Sequence, residues 1–153
     1  MTDPTFHSIA DIMSFAIRRE IDAAEGYARI AALAATPGLR ELAEDLKTQE
    51  ESHRRLLEGL GPDDLRELAP ALLPDLRIVD ALADEKIAPD MTLQEMLVFA
   101  AKKEAQAVAL YESLTRMAKT SDQARLFRFL AGQEREHKLR VEAAYERQIL
   151  QEN

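Results

Sequence analysis

Two stretches of the sequence decide the fold: LAEDLKTQEESH at residues 42–53 and LFRFLAGQEREH at residues 126–137. In each stretch apolar residues recur every three or four positions, which is typical of one face of an amphipathic helix. Both stretches carry a Glu-x-x-His sequence on that apolar face, where the core of a bundle is expected. A glutamate and a histidine three positions apart lie roughly 60° apart around a helix, so both can address the same point in the core.

The first half of the chain overlays the second after a shift of 84 residues, which places Glu50 on Glu134. Each half has one further glutamate on an apolar helix face, Glu20 or Glu104, located 30 positions before the glutamate of Glu-x-x-His. We interpret the chain as a duplicated helical hairpin that keeps its polar core residues in both copies. The matching pairs are Glu20/Glu104, Tyr27/Tyr111, Gln49/Gln133, Glu50/Glu134 and His53/His137.

Prolines, glycines and capping residues predict four helices, over residues 8–35, 37–60, 93–119 and 121 to near 150. Thr36 is expected to cap the second helix, with Pro37 at its first position. Thr92 and Glu95 have the spacing of a capping box ahead of the third helix, and Thr120 begins a similar pattern ahead of the fourth. The short connections predict that the helices pair as two antiparallel hairpins.

The segment between the two hairpins differs in composition, since residues 62–91 contain four of the six prolines. Two helices that run in the same direction need a connection as long as the bundle, and about thirty residues suffice. One or two short helices are expected within this segment. We therefore predict an all-α, single-domain fold over residues 1–153, with hairpins at 8–60 and 92–150 and a long crossover at 61–91.

Composition narrows the classes of protein that need to be considered. The 153 residues are 46% hydrophobic and 31% charged, which is typical of a globular domain. The absence of cysteine excludes disulfides, iron–sulfur clusters and thiol catalysis. A net charge of −8 argues against binding to nucleic-acid phosphates. No apolar run is long enough to span a membrane, and residues 1–15 lack the pattern of a signal peptide, so we expect a cytoplasmic protein.

The glutamates on the apolar faces indicate a metal site. Burying an unpaired carboxylate costs several kcal/mol, and four carboxylates in one core layer would also repel each other. No lysine or arginine lies on these faces to neutralise them, whereas two divalent cations would balance the four charges. Oxygen-rich ligation with one imidazole nitrogen per metal suits iron or manganese, with zinc as a substitute.

This pattern resembles the ferritin-like superfamily, in which two helices each supply a glutamate and two others each supply Glu-x-x-His. The strings AIRRE at 16–20, Gly26-Tyr27 and FLAGQEREH at 129–137 are similar to rubrerythrin-type diiron domains in particular. The resemblance covers essentially the whole chain. It implies a ferritin-like four-helix bundle with a dinuclear iron site.

The resemblance also implies a role for each of the residues that match the motif. Glu50 and Glu134 would bridge the two metals, while Glu20 and Glu104 would each be a terminal ligand. One histidine would bind each metal, and two tyrosines near the site would donate hydrogen bonds to the ligands. The expected metal ligands are Glu20, Glu50, His53, Glu104, Glu134 and His137, and the expected hydrogen-bond donors are Tyr27 and Tyr111.

Two departures from the rubrerythrin pattern bear on the expected activity. Rubrerythrins usually have a rubredoxin-like domain with four cysteines, whereas these residues contain none, so an electron donor would be another protein. Rubrerythrins also have an extra glutamate at the position of Ala107, whose equivalent in the first half is Ala23. Without that glutamate, the six-ligand set is closer to the ferroxidase centres of bacterioferritins.

The resemblance implies an oxidoreductase that reduces H₂O₂ or O₂ at a dinuclear iron site, in oxidative-stress defence or iron handling. An alternative is an iron-binding or ferroxidase protein that stores or delivers iron. A bundle with a structural zinc or manganese site is another alternative, and a manganese catalase is a further one. A homodimer is expected by the same resemblance.

Overall fold

The computed structural model describes residues 9–61 and 87–152 of the chain. These residues form four helices, α1 (Ile9–Leu33), α2 (Pro37–Glu58), α3 (Leu93–Met117) and α4 (Ser121–Glu152). The prediction of an all-α fold with four helices is confirmed. The short helices predicted within the crossover fall at residues 62–86, outside the described part of the chain.

The break between α1 and α2 follows from local chemistry. Thr36 is extended, with φ −125° and ψ 151°, and its side chain accepts a hydrogen bond from the Leu39 backbone N–H at 3.3 Å. Pro37 occupies the first turn of α2, where its missing N–H is not needed. The helix α1 ends at Leu33, two residues earlier than the sequence predicts, and the Ala34 N–H bonds to the Ala31 carbonyl at 3.4 Å in the tighter i→i−3 pattern common at helix ends.

The start of α3 has the predicted capping box. The Thr92 hydroxyl accepts from the Glu95 backbone N–H at 3.1 Å, and the Glu95 carboxylate accepts from the Thr92 backbone N–H at 2.8 Å. At the start of α4, the Thr120 hydroxyl accepts from the Gln123 backbone N–H at 3.2 Å. Each such cap contributes about 1 kcal/mol to helix stability, so both helices of the second hairpin begin at residues that the sequence specifies.

The four helices pack around two apolar clusters. Helix α1 packs along α2 and α3 packs along α4, and the two hairpins meet through contacts of α1 with α3 and of α2 with α4. One cluster contains Ile12, Leu57, Leu110, Leu114, Phe127 and Leu130. The other contains Ile30, Leu46, Met96, Leu97, Val141 and Ala144. On every helix the glutamates that the sequence singles out lie between residues of these two clusters, so the bundle encloses one polar layer between apolar ends.

Among the described helices, none combines the length and the apolar character needed to cross a membrane.

Candidate metal centre

The polar layer contains the six residues predicted as metal ligands, and all six are at most 3% exposed. Helices α1 and α3 each supply one glutamate to it. Helices α2 and α4 each supply a glutamate and a histidine one turn apart. The structure therefore brings the whole predicted set together, namely Glu20, Glu50, His53, Glu104, Glu134 and His137.

The His53 ring faces three carboxylates with its Nδ1 atom. Nδ1 lies 3.1 Å from Glu50 Oε1, on the same helix. It lies 3.6 Å from Glu20 Oε1 and 3.6 Å from Glu134 Oε1. His53 thus meets both glutamates of its own half and one glutamate of the other half.

The His137 ring has the equivalent surroundings in the second half. Its Nδ1 atom lies 3.1 Å from Glu134 Oε1, 3.5 Å from Glu104 Oε2 and 3.5 Å from Glu50 Oε1. Glu50 and Glu134 therefore each face both histidines, which is the position that a bridging carboxylate requires. Glu104 faces only His137, as a terminal ligand would.

The geometry passes a direct test of fit to a metal pair. One ligand atom from each of Glu50, His53, Glu134 and His137 lies within 4.8 Å of the others. The two imidazole rings are stacked, with centroids 5.6 Å apart and planes inclined by 8°. Seven buried atoms of these six residues make no hydrogen bond. One is Nε2 of His53, and the other six are Oε1 of Glu20, Glu50, Glu104 and Glu134 and Nδ1 of His53 and His137.

Buried polar atoms without hydrogen bonds are rare, because each costs the free energy of its lost hydration. Six such atoms face one another here, and they belong to residue types that bind metals. A pair of cations would bind all six. The buried Glu/His group fits a diiron site of the carboxylate type.

Burial and the neighbouring charges strongly shift the pKa values of the residues in the metal-free layer. Burial, followed by repulsion from other carboxylates of the layer, raises the pKa of Glu20 and Glu50 and brings that of Glu104 to about 7. Burial alone would lower the pKa of His53 and His137, but the adjacent carboxylates raise both to about 12. The electrostatics therefore favour positive charge at this point.

Glu134 differs from the other three carboxylates. Burial acts to raise its pKa, yet its contacts with both histidines outweigh burial and hold the pKa well below the usual range. Glu134 thus stays ionised in the metal-free layer. This is consistent with a central position between the two imidazoles.

Two tyrosines close the layer, and their partners lie in the opposite half of the chain. The Tyr27 hydroxyl donates to Glu104 Oε2 at 2.5 Å. The Tyr111 hydroxyl donates to Glu20 Oε2. Both tyrosines lie near the site, as predicted, but the sequence does not indicate that each one bonds to the glutamate of the other hairpin. Burial, and then the charge of the bonded glutamate, raises the pKa of both hydroxyls well above 10, so both remain donors.

Sequence reasoning missed one residue that contacts the layer, Gln49. Its Oε1 atom accepts a hydrogen bond from His137 Nε2 at 2.7 Å. The signal that could have identified it is its match with Gln133 across the 84-residue shift. A polar residue kept in both copies next to a buried glutamate is a candidate to orient a ligand.

A cavity of about 170 Å³ reaches the layer between α1 and α3. Glu50, Glu104 and Glu134 form its inner wall. The residues nearer the surface include equivalent pairs from the two halves of the chain: Phe15/Phe99, Arg19/Lys103 and Ala23/Ala107. Ala107, at the position where rubrerythrins are expected to have an extra glutamate, is one of the small residues that leave this space.

Comparison with known proteins agrees with the four-helix fold and with the resemblance to rubrerythrin. The rubrerythrin family model matches residues 95–153, which include Glu104, Glu134 and His137. A hypothetical protein from Pyrococcus furiosus has the same fold, with a TM-score of 0.67 and 24% identity, over 92% of this chain and 89% of that chain. A Thermotoga maritima protein, provisionally described as ferritin-like and diiron-carboxylate, has a TM-score of 0.70 and 19% identity, over 94% of this chain and 98% of that one. No curated protein sequence matches this chain.

The fold is therefore a ferritin-like four-helix bundle, as the sequence predicts. The resemblance to rubrerythrin-type proteins is also confirmed, by the match over the second hairpin. Direct binding of metal by the six residues stays a prediction, which the geometry supports.

Proposed function

We propose that this protein binds two iron ions in the polar layer and uses them to reduce H₂O₂ or O₂. The main support for the proposal is a set of six buried atoms that could bind metals, four carboxylate oxygens and two imidazole nitrogens. They face one another and make no hydrogen bonds. Within the described residues, the ion pairs of these four carboxylates involve only His53 and His137, so no lysine or arginine neutralises them.

The donor set is suited to iron because it is rich in oxygen and offers one nitrogen to each metal. Glu20 and His53 would hold one ion, and Glu104 and His137 would hold the other. Glu50 and Glu134 would bridge them, since each faces both histidines. Two bound iron ions would supply the electrons that reduce the oxidant.

The chain itself would orient the ligands and exclude bulk water. The tyrosine hydroxyls hold one oxygen of Glu104 and one of Glu20, which leaves the other oxygen of each free for a metal. Apolar clusters on both sides of the layer lower the local dielectric constant, which strengthens the attraction between carboxylates and cations. Burial and the charge of the adjacent glutamates raise the pKa of both tyrosines in the metal-free layer, so both hydroxyls are donors there.

The cavity between α1 and α3 provides a route for a small oxidant. Its volume of about 170 Å³ is several times the space that one water molecule needs. It ends at Glu50 and Glu134, the two expected bridging residues, and at Glu104, the expected terminal ligand of the His137 position. A molecule the size of H₂O₂ or O₂ could therefore reach the metal pair without unfolding the bundle.

A ferroxidase or iron-handling role is the second candidate, and Ala107 favours it. Ala107 is buried beside the layer and provides no ligand atom. The six-ligand set then lacks the extra carboxylate expected of rubrerythrins. The same site would oxidise Fe(II) and pass it on, with O₂ as the oxidant.

The deciding experiment is an anaerobic Fe(II) titration, followed by stopped-flow oxidation with H₂O₂ and, separately, with O₂. Two irons per chain and much faster oxidation by H₂O₂ would support peroxide reduction. Faster oxidation by O₂ with continued turnover of Fe(II) would indicate a ferroxidase. Slow reaction with both oxidants would favour storage or delivery of iron. A failure to bind iron at a defined ratio would contradict the diiron proposal and leave a structural zinc or manganese site to be tested.

A further inference from the structure

We infer that the two metal positions are unequal, and that the position beside His137 holds its ion more tightly than the position beside His53. The structure assigns the difference to Gln49, which acts as a positioning residue for His137 only. This inference rests on the proposed two-metal site. Residues around the site would give the two metal positions different affinities, so that the ion at one position exchanges more readily than the ion at the other.

A chain of three polar contacts runs from His137 to the protein surface. His137 Nε2 donates to Gln49 Oε1 at 2.7 Å. Gln49 Nε2 donates to Asp45 Oδ2 at 3.0 Å. Arg140 Nη1 pairs with the same Asp45 oxygen at 2.9 Å. The chain therefore links α2 and α4 next to the metal layer.

These contacts determine which imidazole nitrogen is available to a metal. The Asp45 carboxylate can only accept, so the amide nitrogen of Gln49 must face it. The amide oxygen of Gln49 then faces His137 Nε2, which must carry a proton to donate. In the neutral imidazole that a metal would bind, the lone pair is then left on Nδ1, the atom that faces the carboxylates of the layer. A hydrogen bond of this kind typically strengthens metal binding by about 10- to 100-fold.

The equivalent positions in the other half cannot build this chain. A shift of 84 residues places Gln133 on Gln49, but Phe129 on Asp45 and Leu56 on Arg140. Phe129 and Leu56 are 52% and 41% exposed, and neither side chain can form an ion pair. Asp45 and Arg140, which support Gln49, thus correspond to two apolar residues beside Gln133.

The His53 ring lacks the support that His137 has. Its Nε2 atom is buried and makes no hydrogen bond within the described part of the chain. Gln133 therefore does not support His53 as Gln49 supports His137, since neither ring nitrogen of His53 has a hydrogen-bond partner among the described residues. With no acceptor for Nε2–H, no hydrogen bond on the outer side of the ring helps to fix its orientation or its proton position. The bound metal alone would therefore orient the His53 ring so that Nδ1 points at the ion.

A second cavity lies on the side of the weaker position. It has a volume of about 230 Å³, opens between α1 and α2, and is bordered by Glu20, Lys47, Glu51 and Arg54. Glu20 is the expected terminal ligand of the His53 position. Glu104, the expected terminal ligand of the other position, lines the first cavity, so a cavity reaches both positions and the expected difference in affinity rests on the Gln49 contacts.

The test is an anaerobic Co²⁺ titration, followed by its visible absorption, of the full chain and of matched variants. The unmodified protein is expected to bind two ions in separate steps. Gln49→Leu should weaken the tighter step by about 10- to 100-fold, which would bring the two steps together. Gln133→Leu, the same change at the equivalent position, should leave both steps unchanged.

A complementary variant transfers the missing contacts to the other half. Leu56→Arg combined with Phe129→Asp would give Gln133 the partners that Gln49 has, and the weaker step should become tighter. Metal-free thermal melts of all variants check that the bundle is intact, so that a loss of folding is not read as a loss of affinity.

The outcomes separate this inference from the proposed function. Two ions bound with equal affinity, or equal losses in Gln49→Leu and Gln133→Leu, would overturn the inequality and leave the two-metal site standing. Absence of binding near two ions per chain in the unmodified protein would overturn both.

Discussion

The Tyr27 hydroxyl, in the first hairpin, donates a hydrogen bond to Glu104 Oε2 in the second hairpin at 2.5 Å. Tyr111 makes the reciprocal bond to Glu20, from the second hairpin to the first. Each half of the duplicated chain thus orients an expected metal ligand of the other half. The two hairpins are joined at the metal layer by these bonds as well as by apolar packing.

Replacement of Tyr27 by phenylalanine should destabilise the metal-free bundle. The change leaves a buried oxygen of Glu104 without its donor, and such a loss costs about 1–3 kcal/mol. Urea denaturation of the chelator-treated protein measures the change in the free energy of unfolding. Tyr145→Phe is the matched control, because Tyr145 is partly buried and lies outside the layer. An equal loss in both variants would show that the Tyr27–Glu104 bond has no special role.

Replacement of Glu50 by alanine should abolish binding of the metal pair, since Glu50 faces both histidines and would bridge both ions. Glu51→Ala, one residue away and only partly buried, should keep near-complete occupancy. Metal content per chain, measured by elemental analysis after loading and desalting, provides the comparison. The ligand assignment is wrong if the two variants retain the same amount of metal.

The metal-free protein should become less stable as the pH rises from 5 to 8. The folded state raises the pKa of Glu104 from 4.5 to about 7 and that of His53 and His137 from 6.5 to about 12. Over these intervals the folded state binds more protons than the unfolded chain, so the free energy of unfolding falls with increasing pH. The lowered pKa of Glu134 has the opposite effect, but its contribution is complete above about pH 4.5 and adds no slope here.

Thermal melts at pH 5, 6.5 and 8, in the presence of a chelator, measure this dependence. Metal-loaded protein should show the reverse trend, because protons compete with cations for the same atoms and binding releases them. A double variant, His53→Gln with His137→Gln, should flatten the metal-free slope above pH 6.5. A slope unchanged in that variant would assign the pH dependence to groups outside the layer.

Replacement of Ala107 by glutamate should add a carboxylate to the wall of the cavity beside Glu104 and Glu134. By the resemblance to rubrerythrin, this change is expected to increase oxidation by H₂O₂ relative to oxidation by O₂. Stopped-flow rates for both oxidants give the ratio. Ala107→Gln, which has the same size without the charge, separates the effect of a new ligand from that of a filled cavity. A ratio that shifts equally in both variants would indicate that only the volume matters.

Much of this protein can be predicted from its sequence because the decisive signals are local or repeated. Thr36 with Pro37, and Thr92 with Glu95, specify where helices begin, because a cap needs only residues within one turn. Glu50 and His53 recur as Glu134 and His137 on apolar helix faces, and a charged residue on such a face must find a partner in the core. The sequence therefore determines the four helices and which six residues meet.

Only the tertiary structure decides which neighbouring residues hydrogen-bond to the glutamates and histidines of the layer. The bond of Tyr27 to Glu104 joins residues 77 positions apart, and their proximity depends on how one hairpin docks against the other. Arg140 reaches Asp45 only because α4 lies beside α2, and no local pattern predicts that Gln49 is thereby fixed against His137. Helix periodicity determines which residues face the core. The distances between side chains on different helices depend on how all the helices pack, and no local sequence pattern specifies that packing.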